Sequence, residues 1–228
     1  MMMSTISFES FGLADPLLAN VARLGFTEPT PVQTQAIPAA MRGGDWMVSS
    51  QTGSGKTAAF LLPVLHTLLR LAEPPRLYAP RWSQEILTET TRALETKLNW
   101  PRHLVAHFET ELRTHFADAW VDGYGYLMES VGNDVKDRHV LAAAAHSATP
   151  LIITFNLRHF KPEHLHPWGI TALHPDRFLV SLMAQEPELV RKKVAQQAED
   201  RHRSLSQLAE ILRPAVPEFA QRVLPFRM

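Results

Sequence analysis

Apolar and polar positions along the chain fall into blocks whose spacing changes, and the changes mark its elements. Leu17, Leu18, Val21 and Leu24 recur at helical spacing behind Asp15-Pro16, so a helix is expected over 14–24, ended by Gly25-Phe26. Pro31 opens a second, short helix through Gln33, Gln35 and Ile37. After Gly43-Gly44 the run Asp45-Trp46-Met47-Val48-Ser49 reads as a short strand, followed by a glycine-rich loop and an apolar helix from Ala58 to about Leu65. Pro74, Pro75 and Pro80 punctuate residues 70–80, as either an ordinary connection or a linker. Beyond them Trp82 to Glu89 reads as a helix capped by Ser83, with Ile86 and Leu87 facing inward. The alanine-rich stretch from Asp134 to Ala145 is a good helix former, with Asp137 near its start, and the apolar run Pro150 to Phe155 that follows is a buried strand ending in Asn156. Further helices are expected at roughly 179–200 and 204–213.

Helix, tight turn and apolar strand in succession predict an α/β fold with a mostly parallel sheet, flanking helices, a helical N-terminal arm and a helical C-terminal extension. Sites in such sheets lie beyond the carboxyl ends of the strands, where Asn156 falls.

Composition narrows the function classes. The 228 residues leave room for one large domain, or a domain with an appendage. Lys plus Arg and Asp plus Glu both number 23, so no bulk positive field points to nucleic acid, although Arg191-Lys192-Lys193 and Arg201-His202-Arg203 are local basic clusters. With no cysteine, disulfides and thiolate metal sites are excluded. The histidines are scattered; His159, His164 and His166 lack the spacing of a helical zinc motif and read as surface or core residues. No stretch reaches the ~20 apolar residues of a membrane span, and Met1 to Ser4 lack a signal peptide's basic region. The expectation is a soluble, cytoplasmic protein without membrane contact.

The loop Ser50-Gln51-Thr52-Gly53-Ser54-Gly55-Lys56-Thr57 carries the first chemistry. Gly53 and Gly55 let backbone N–H groups converge on phosphate oxygens; Lys56 would reach the β and γ phosphates, and the Thr57 hydroxyl would bind Mg2+. Together with Phe11 and the run Gly25-Phe26-Thr27-Glu28-Pro29-Thr30-Pro31-Val32-Gln33, this loop resembles the ATP-binding motifs of DEAD-box RNA helicases. The resemblance implies that ATP is bound, that Gln33 hydrogen-bonds adenine and that Phe11 stacks near it. It covers roughly residues 6–65 and stops there. No Asp-Glu-Ala-Asp quartet follows, and Ser147-Ala148-Thr149, identical to a helicase coupling motif, reads as a chance match. ATP binding without ATP-driven unwinding is the expectation.

The second chemistry is acidic. Glu89, Asp137 and Asn156 make a candidate oxygen-ligand set for Mg2+ or Mn2+. From about Leu68 to Pro175 the chain resembles PIN-domain nucleases of the VapC-like toxin type. The pieces that carry this are Leu77 to Leu87, Asp134 to Ala145 and Ile152 to Phe160, in that order. That resemblance implies a three-layer sheet and cleavage of single-stranded RNA by a metal-activated water. Glu89 and Asp137 would be metal ligands, Asp134 a further acid, and Thr154 and Asn156 would line the site. It also implies an antitoxin partner, and leaves homodimerisation open. The expected divisions are a helicase-like fragment over 1–67, a PIN-like domain over 68–175 and a helical extension over 176–228.

Such a nuclease opens with an apolar strand ending in an aspartate, and this chain has none; in chain order Asp45 to Ser49 stands in its place, with Ser49 or Ser50 where the acid belongs. A hydroxyl adds no negative charge, so weak or absent nuclease activity is expected. The alternatives are a nucleotide-binding module built on the helicase-like segment, or an inert fusion of the two.

Overall fold

The computed structural model describes Ser7 and residues 56–98 and 100–224, with side chains over 63–96 and 100–224. The helices expected over 14–24 and from Pro31, the strand at 45–49, and Phe11, Gln33, Gly53 and Gly55 lie outside the described residues, as do the side chains of Lys56 and Thr57. The chain divides into two compact units, Met1–Ser54 and Gly55–Met228, and the described helices and strands belong to the second.

This unit opens with helix α1, Lys56–Ala72. Pro63 inside it forfeits one amide donor, yet the helix continues, and Thr67 Oγ1 donates to the Pro63 carbonyl at 3.0 Å. Val64, Thr67 and Leu71 recur at helical spacing and are buried, so one face of α1 is core. Lys193 Nζ closes its far end, donating to the carbonyls of Arg70 (3.0 Å), Glu73 (2.7 Å) and Pro74 (3.4 Å). Helix α1 therefore joins the residues read as helicase-like to those read as nuclease-like without a break, within the compact unit that begins at Gly55.

Next come α2 (Gln84–Leu98) and α3 (Arg102–His115). Ser83 is the N-cap that the sequence pattern anticipates: it is fully buried and its Oγ accepts from Ile86 N at 3.3 Å. Ala72 and Leu87 pack with Leu112, Phe116 and Ala119 in a small core between these helices. Helix α4 (Arg138–His146) is followed by β1 (Leu151–Ile153), the short helix α5 (Pro162–Leu165) and β2 (Thr171–Leu173).

The two strands pair in parallel, Leu151 with Thr171 and Ile153 with Leu173. The sheet is thus parallel, as expected, and among the described residues it has two strands. The expected strand over Pro150–Phe155 shortens to three residues. Thr154 Oγ1 turns to accept from Asn156 N at 3.0 Å, a local turn that ends the ladder. Thr171 N donates to Pro150 O (2.9 Å) and Thr154 N to Leu173 O (3.0 Å). Alternation along the strand then aims the backbone N–H and C=O of Leu151 and Ile153 away from β2.

The C-terminal extension is helical, in four pieces: α6 (Pro175–Gln185), α7 (Pro187–Glu199), α8 (Leu205–Leu212) and α9 (Pro217–Val223). Pro187 divides the helix expected over 179–200, because it has no amide to donate and starts α7 as its first residue. Ser204 and Gln207 form a reciprocal capping box at α8. Helix α9 is held from a distance: the buried Asp176 carboxylate accepts from Glu218 N (3.2 Å) and Phe219 N (2.8 Å). Val64 and Leu71 of α1 share the main core with Leu179, Val190, Leu212 and Phe219.

Candidate metal centre

The loop before α4 and the segment after β1 bring the acidic chemistry together. Asp134 caps a single 3-10 turn, Val135–Asp137, through its side chain to Lys136 N at 3.0 Å. Asp137 sits at the N-cap position of α4 but its carboxylate makes no cap bond. That carboxylate is instead 2.7 Å, through Oδ2, from His159 Nδ1. Ligand atoms of Asp134, Asp137 and His159 all lie within 4.8 Å of one another, with Asp137 and His159 half-buried and Asp134 exposed. The cluster stands at the carboxyl end of β1, where the reading of the sheet places a site.

The other residues singled out from sequence surround this point in different ways. Asn156 Nδ2 meets the same His159 Nδ1 at 2.7 Å, and Asn156 Oδ1 accepts from Arg158 Nε at 3.1 Å. Thr154 lines a cavity of about 510 Å3 together with Asp137 and Glu89. Leu68 of α1, Ala144 of α4 and Ile153 of β1 supply apolar wall to that cavity. Glu89 is not part of the converging group. Its largely exposed carboxylate lies 3.6 Å from the buried His139 Nε2, because one turn of α2 directs it toward α4.

His159 is the residue that sequence reasoning missed. Its neighbours His164 and His166 belong to other turns, and nothing in the spacing of the three singles out the first. The signal lay in the pairing of Asn156 with His159 three residues on, after a buried strand. Ser147 and Thr149 are accounted for locally: Ser147 Oγ donates to Ala143 O at 2.8 Å and lies 2.8 Å from Thr149 Oγ1, which makes the Ser-Ala-Thr run a turn between α4 and β1.

A second carboxylate on α2 is bound up elsewhere. Glu85 accepts a short hydrogen bond from the Tyr124 hydroxyl. That bond holds the Glu85 carboxyl below the usual range, while burial first, and the bonded carboxylate second, push the Tyr124 phenol up to about 12. This pair fastens the turn at Tyr124–Leu127 to α2.

The donor set fits a divalent ion. Two carboxylates and an imidazole nitrogen are hard-to-borderline ligands of the kind that first-row divalent metals accept. One turn of backbone holds the two aspartates in register. In the helicase-like segment the described part is narrower. Helix α1 starts at Lys56, so a helix N-terminus follows directly on the glycine-rich loop, the arrangement that favours phosphate.

Comparison with known proteins bears on that segment. The DEAD/DEAH box helicase family model matches residues 30–98, across α1 and to the end of α2. The probable ATP-dependent RNA helicase ddx27 of Dictyostelium discoideum is 59% identical over 63 residues, 28% of this chain and 8% of that protein. The mitochondrial DEAD-box ATP-dependent RNA helicase 47 of Arabidopsis thaliana is 51% identical over 73 residues, 32% of this chain and 13% of that protein. DEAD-box ATP-dependent RNA helicase 52A of Oryza sativa subsp. japonica is 55% identical over 62 residues, 27% of this chain and 10% of that protein. The chain thus spans about a tenth of the length of the relatives it matches. No solved structure matches it. These matches support the resemblance of the N-terminal segment to DEAD-box helicases, and they favour that reading of the chain over the nuclease reading, which rests on sequence motifs and geometry alone.

Proposed function

We propose that this chain binds ATP through its DEAD-box-like segment without carrying out a complete helicase cycle. The observation that supports this is the match over residues 30–98 together with the helix start at Lys56, directly after Gly53-Ser54-Gly55. In this reading backbone N–H groups of the loop and the N-terminal end of α1 receive the phosphates, Lys56 contributes its charge and Thr57 its hydroxyl to Mg2+. RNA is the partner that the relatives' names suggest. Calorimetric titration of the purified chain with ATP and Mg2+ tests it. Saturable binding that Lys56→Ala weakens strongly is expected; no heat up to millimolar ATP would overturn it.

A second reading is favoured by the convergence of Asp134, Asp137 and His159: a divalent-metal site acting on phosphodiesters, with single-stranded RNA as substrate. A bound Mg2+ or Mn2+ would supply a hydroxide near neutral pH and offset charge on the attacked phosphate. The chain's own part is to hold two carboxylates in one turn and to keep the Asp137 side chain off the helix backbone, free to face His159. Thr154 and apolar side chains line the cavity that Asp137 borders. Incubating single-stranded RNA with Mn2+, beside Asp137→Asn, gives the test. Slow cleavage lost in the variant supports the reading, and Ser50→Asp is expected to accelerate it; equal rates in wild type and Asp137→Asn sink it. An antitoxin partner and homodimer formation belong to this reading only.

A further inference from the structure

We propose that the outer edge of β1 is a docking site for an extended, apolar peptide segment of a partner protein. The segment adds to the sheet as a strand beside β1, inside the cavity, and carries a basic residue at the end that emerges by Glu89 and Asp137.

The backbone sets the first requirement. The ladder to β2 runs through Pro150 O, Ile152 and Thr154 N, so the N–H and C=O groups of Leu151 and Ile153 point out of the other edge. Residues 150–154 line the cavity of about 510 Å3, and among the described residues none of β2 does, so the cavity lies along that outer edge. Its lining belongs wholly to the second unit. The three residues of β1 present about 10 Å of edge at strand spacing. A peptide backbone supplies donors and acceptors at the matching interval, which an apolar small molecule does not. A helix is excluded as well, because its own backbone bonds are internal and would leave the edge unserved.

The walls set the second requirement. Leu151 and Ile153 pack toward the helical core around α1 and α6, and Ile152 packs toward α4. Leu65 and Leu68 of α1 with Phe178 of α6 carry the first wall past the strand, and Val140, Ala143 and Ala144 of α4 carry the second. A strand seated between them buries both of its faces. It must therefore be apolar at successive positions, as Leu151-Ile152-Ile153 is, rather than alternating with polar residues.

Charge sets the third. Glu89 and Asp137 are carboxylates of the lining, and both stand at the carboxyl end of β1: Glu89 reaches His139 in the first turn of α4, which Asp137 opens. Arg81, a cation of the same lining, is engaged by the carbonyls of Pro80 and Asp118. The mouth at that end thus complements Lys or Arg on the incoming segment.

Fluorescence anisotropy of the full chain with a labelled synthetic peptide, Thr-Val-Ile-Val-Ile-Arg-Lys, tests this without ATP or metal. Two further versions are N-methylated on one alternation of residues or on the other. Saturable binding is expected, with one methylated version weaker than the other by about tenfold or more, because only one alternation donates to β1. Amide exchange at Leu151 and Ile153 should slow in the complex. Ala144→Leu narrows the slot and is expected to weaken binding by about tenfold or more, with its thermal melt showing that it stays folded. Glu89→Gln should weaken binding by about threefold and reduce its salt dependence. No binding overturns the proposal, as does binding that Ala144→Leu leaves unchanged. Equal affinities of the two methylated versions would make the cavity a site for apolar groups at large and overturn the strand. Self-association of the chain that the peptide reverses would make a second copy the occupant and overturn the partner.

Discussion

The helical core and the sheet region of the second unit are built from the same kinds of residue but close differently. Around α1 and α6–α9, Leu71, Leu179, Leu212 and Phe219 are completely buried. Around α4 and β1, residues of similar character border a cavity of about 510 Å3, and the backbone of Leu151 and Ile153 faces away from β2. The difference follows from where each element finds its hydrogen bonds. A helix satisfies its backbone internally, so helices close a core by side-chain packing alone. A strand draws on a neighbour at each edge, and β1 has β2 on one. The lesson is that, among the described residues, the polar chemistry collects where packing is least closed: Asp137 and Thr154 both border that cavity.

The sharpest way to break this comparison is truncation on each side. Phe219→Ala, in the closed core, is expected to cost about 3–5 kcal/mol in urea unfolding. Ile153→Ala, on the cavity wall, should cost no more than about 2 kcal/mol, the low end for such a change, because the space beside it already exists. Equal losses would mean that the cavity collapses in solution. Enlargement tests the same contrast with opposite signs. Ala209→Leu in the helical core should destabilise by about 1–3 kcal/mol, whereas Ala144→Leu, which lines the cavity, should be neutral or raise stability by about 0.5–1 kcal/mol. A melting-temperature fall of the same size in both would show that the two regions are packed alike.

Smaller effects sharpen the picture of the helical side. Asp176→Ala removes both acceptors at the N-terminus of α9, and a loss of about 1–2 kcal/mol is expected, with amide exchange fastest at Glu218 and Phe219. His66, on α1, has its pKa lowered to about 4, by burial first and then by Arg201 and Arg70. Its unfolded value is 6.5, so the unfolded chain takes up the proton first. The stability due to neutral His66 is therefore complete above 6.5 and declines as pH falls from there to about 4. His66→Gln should flatten the melting temperature over that window, the smallest of these effects; an unchanged slope would place the acid sensitivity elsewhere.

Local signals are legible where short-range chemistry decides the outcome. Ser83 as a cap, the helix starting beside Asp137 and the buried strand before Asn156 are all present, because caps, alanine runs and apolar runs act within a few residues. Less legible are the break at Pro187, where a helical pattern on both sides masks the missing donor, and β2, whose three residues carry little periodicity. Helix α9 is invisible in the pattern because its cap, Asp176, lies 42 residues from Glu218 in sequence. His159 carries no local signal of its role because its partner Asp137 is 22 residues away.

By itself the sequence determined the glycine-rich loop and its helicase resemblance, the parallel α/β character, and the aspartates of the acidic turn, because each is written in neighbouring residues. Only the tertiary structure decided that α1 belongs to the core of the second unit, that Glu89 turns to His139 while His159 turns to Asp137, and that a cavity lies beside β1. These depend on which surfaces meet across long stretches of chain, and burial and electrostatic pairing settle that only when the whole unit packs.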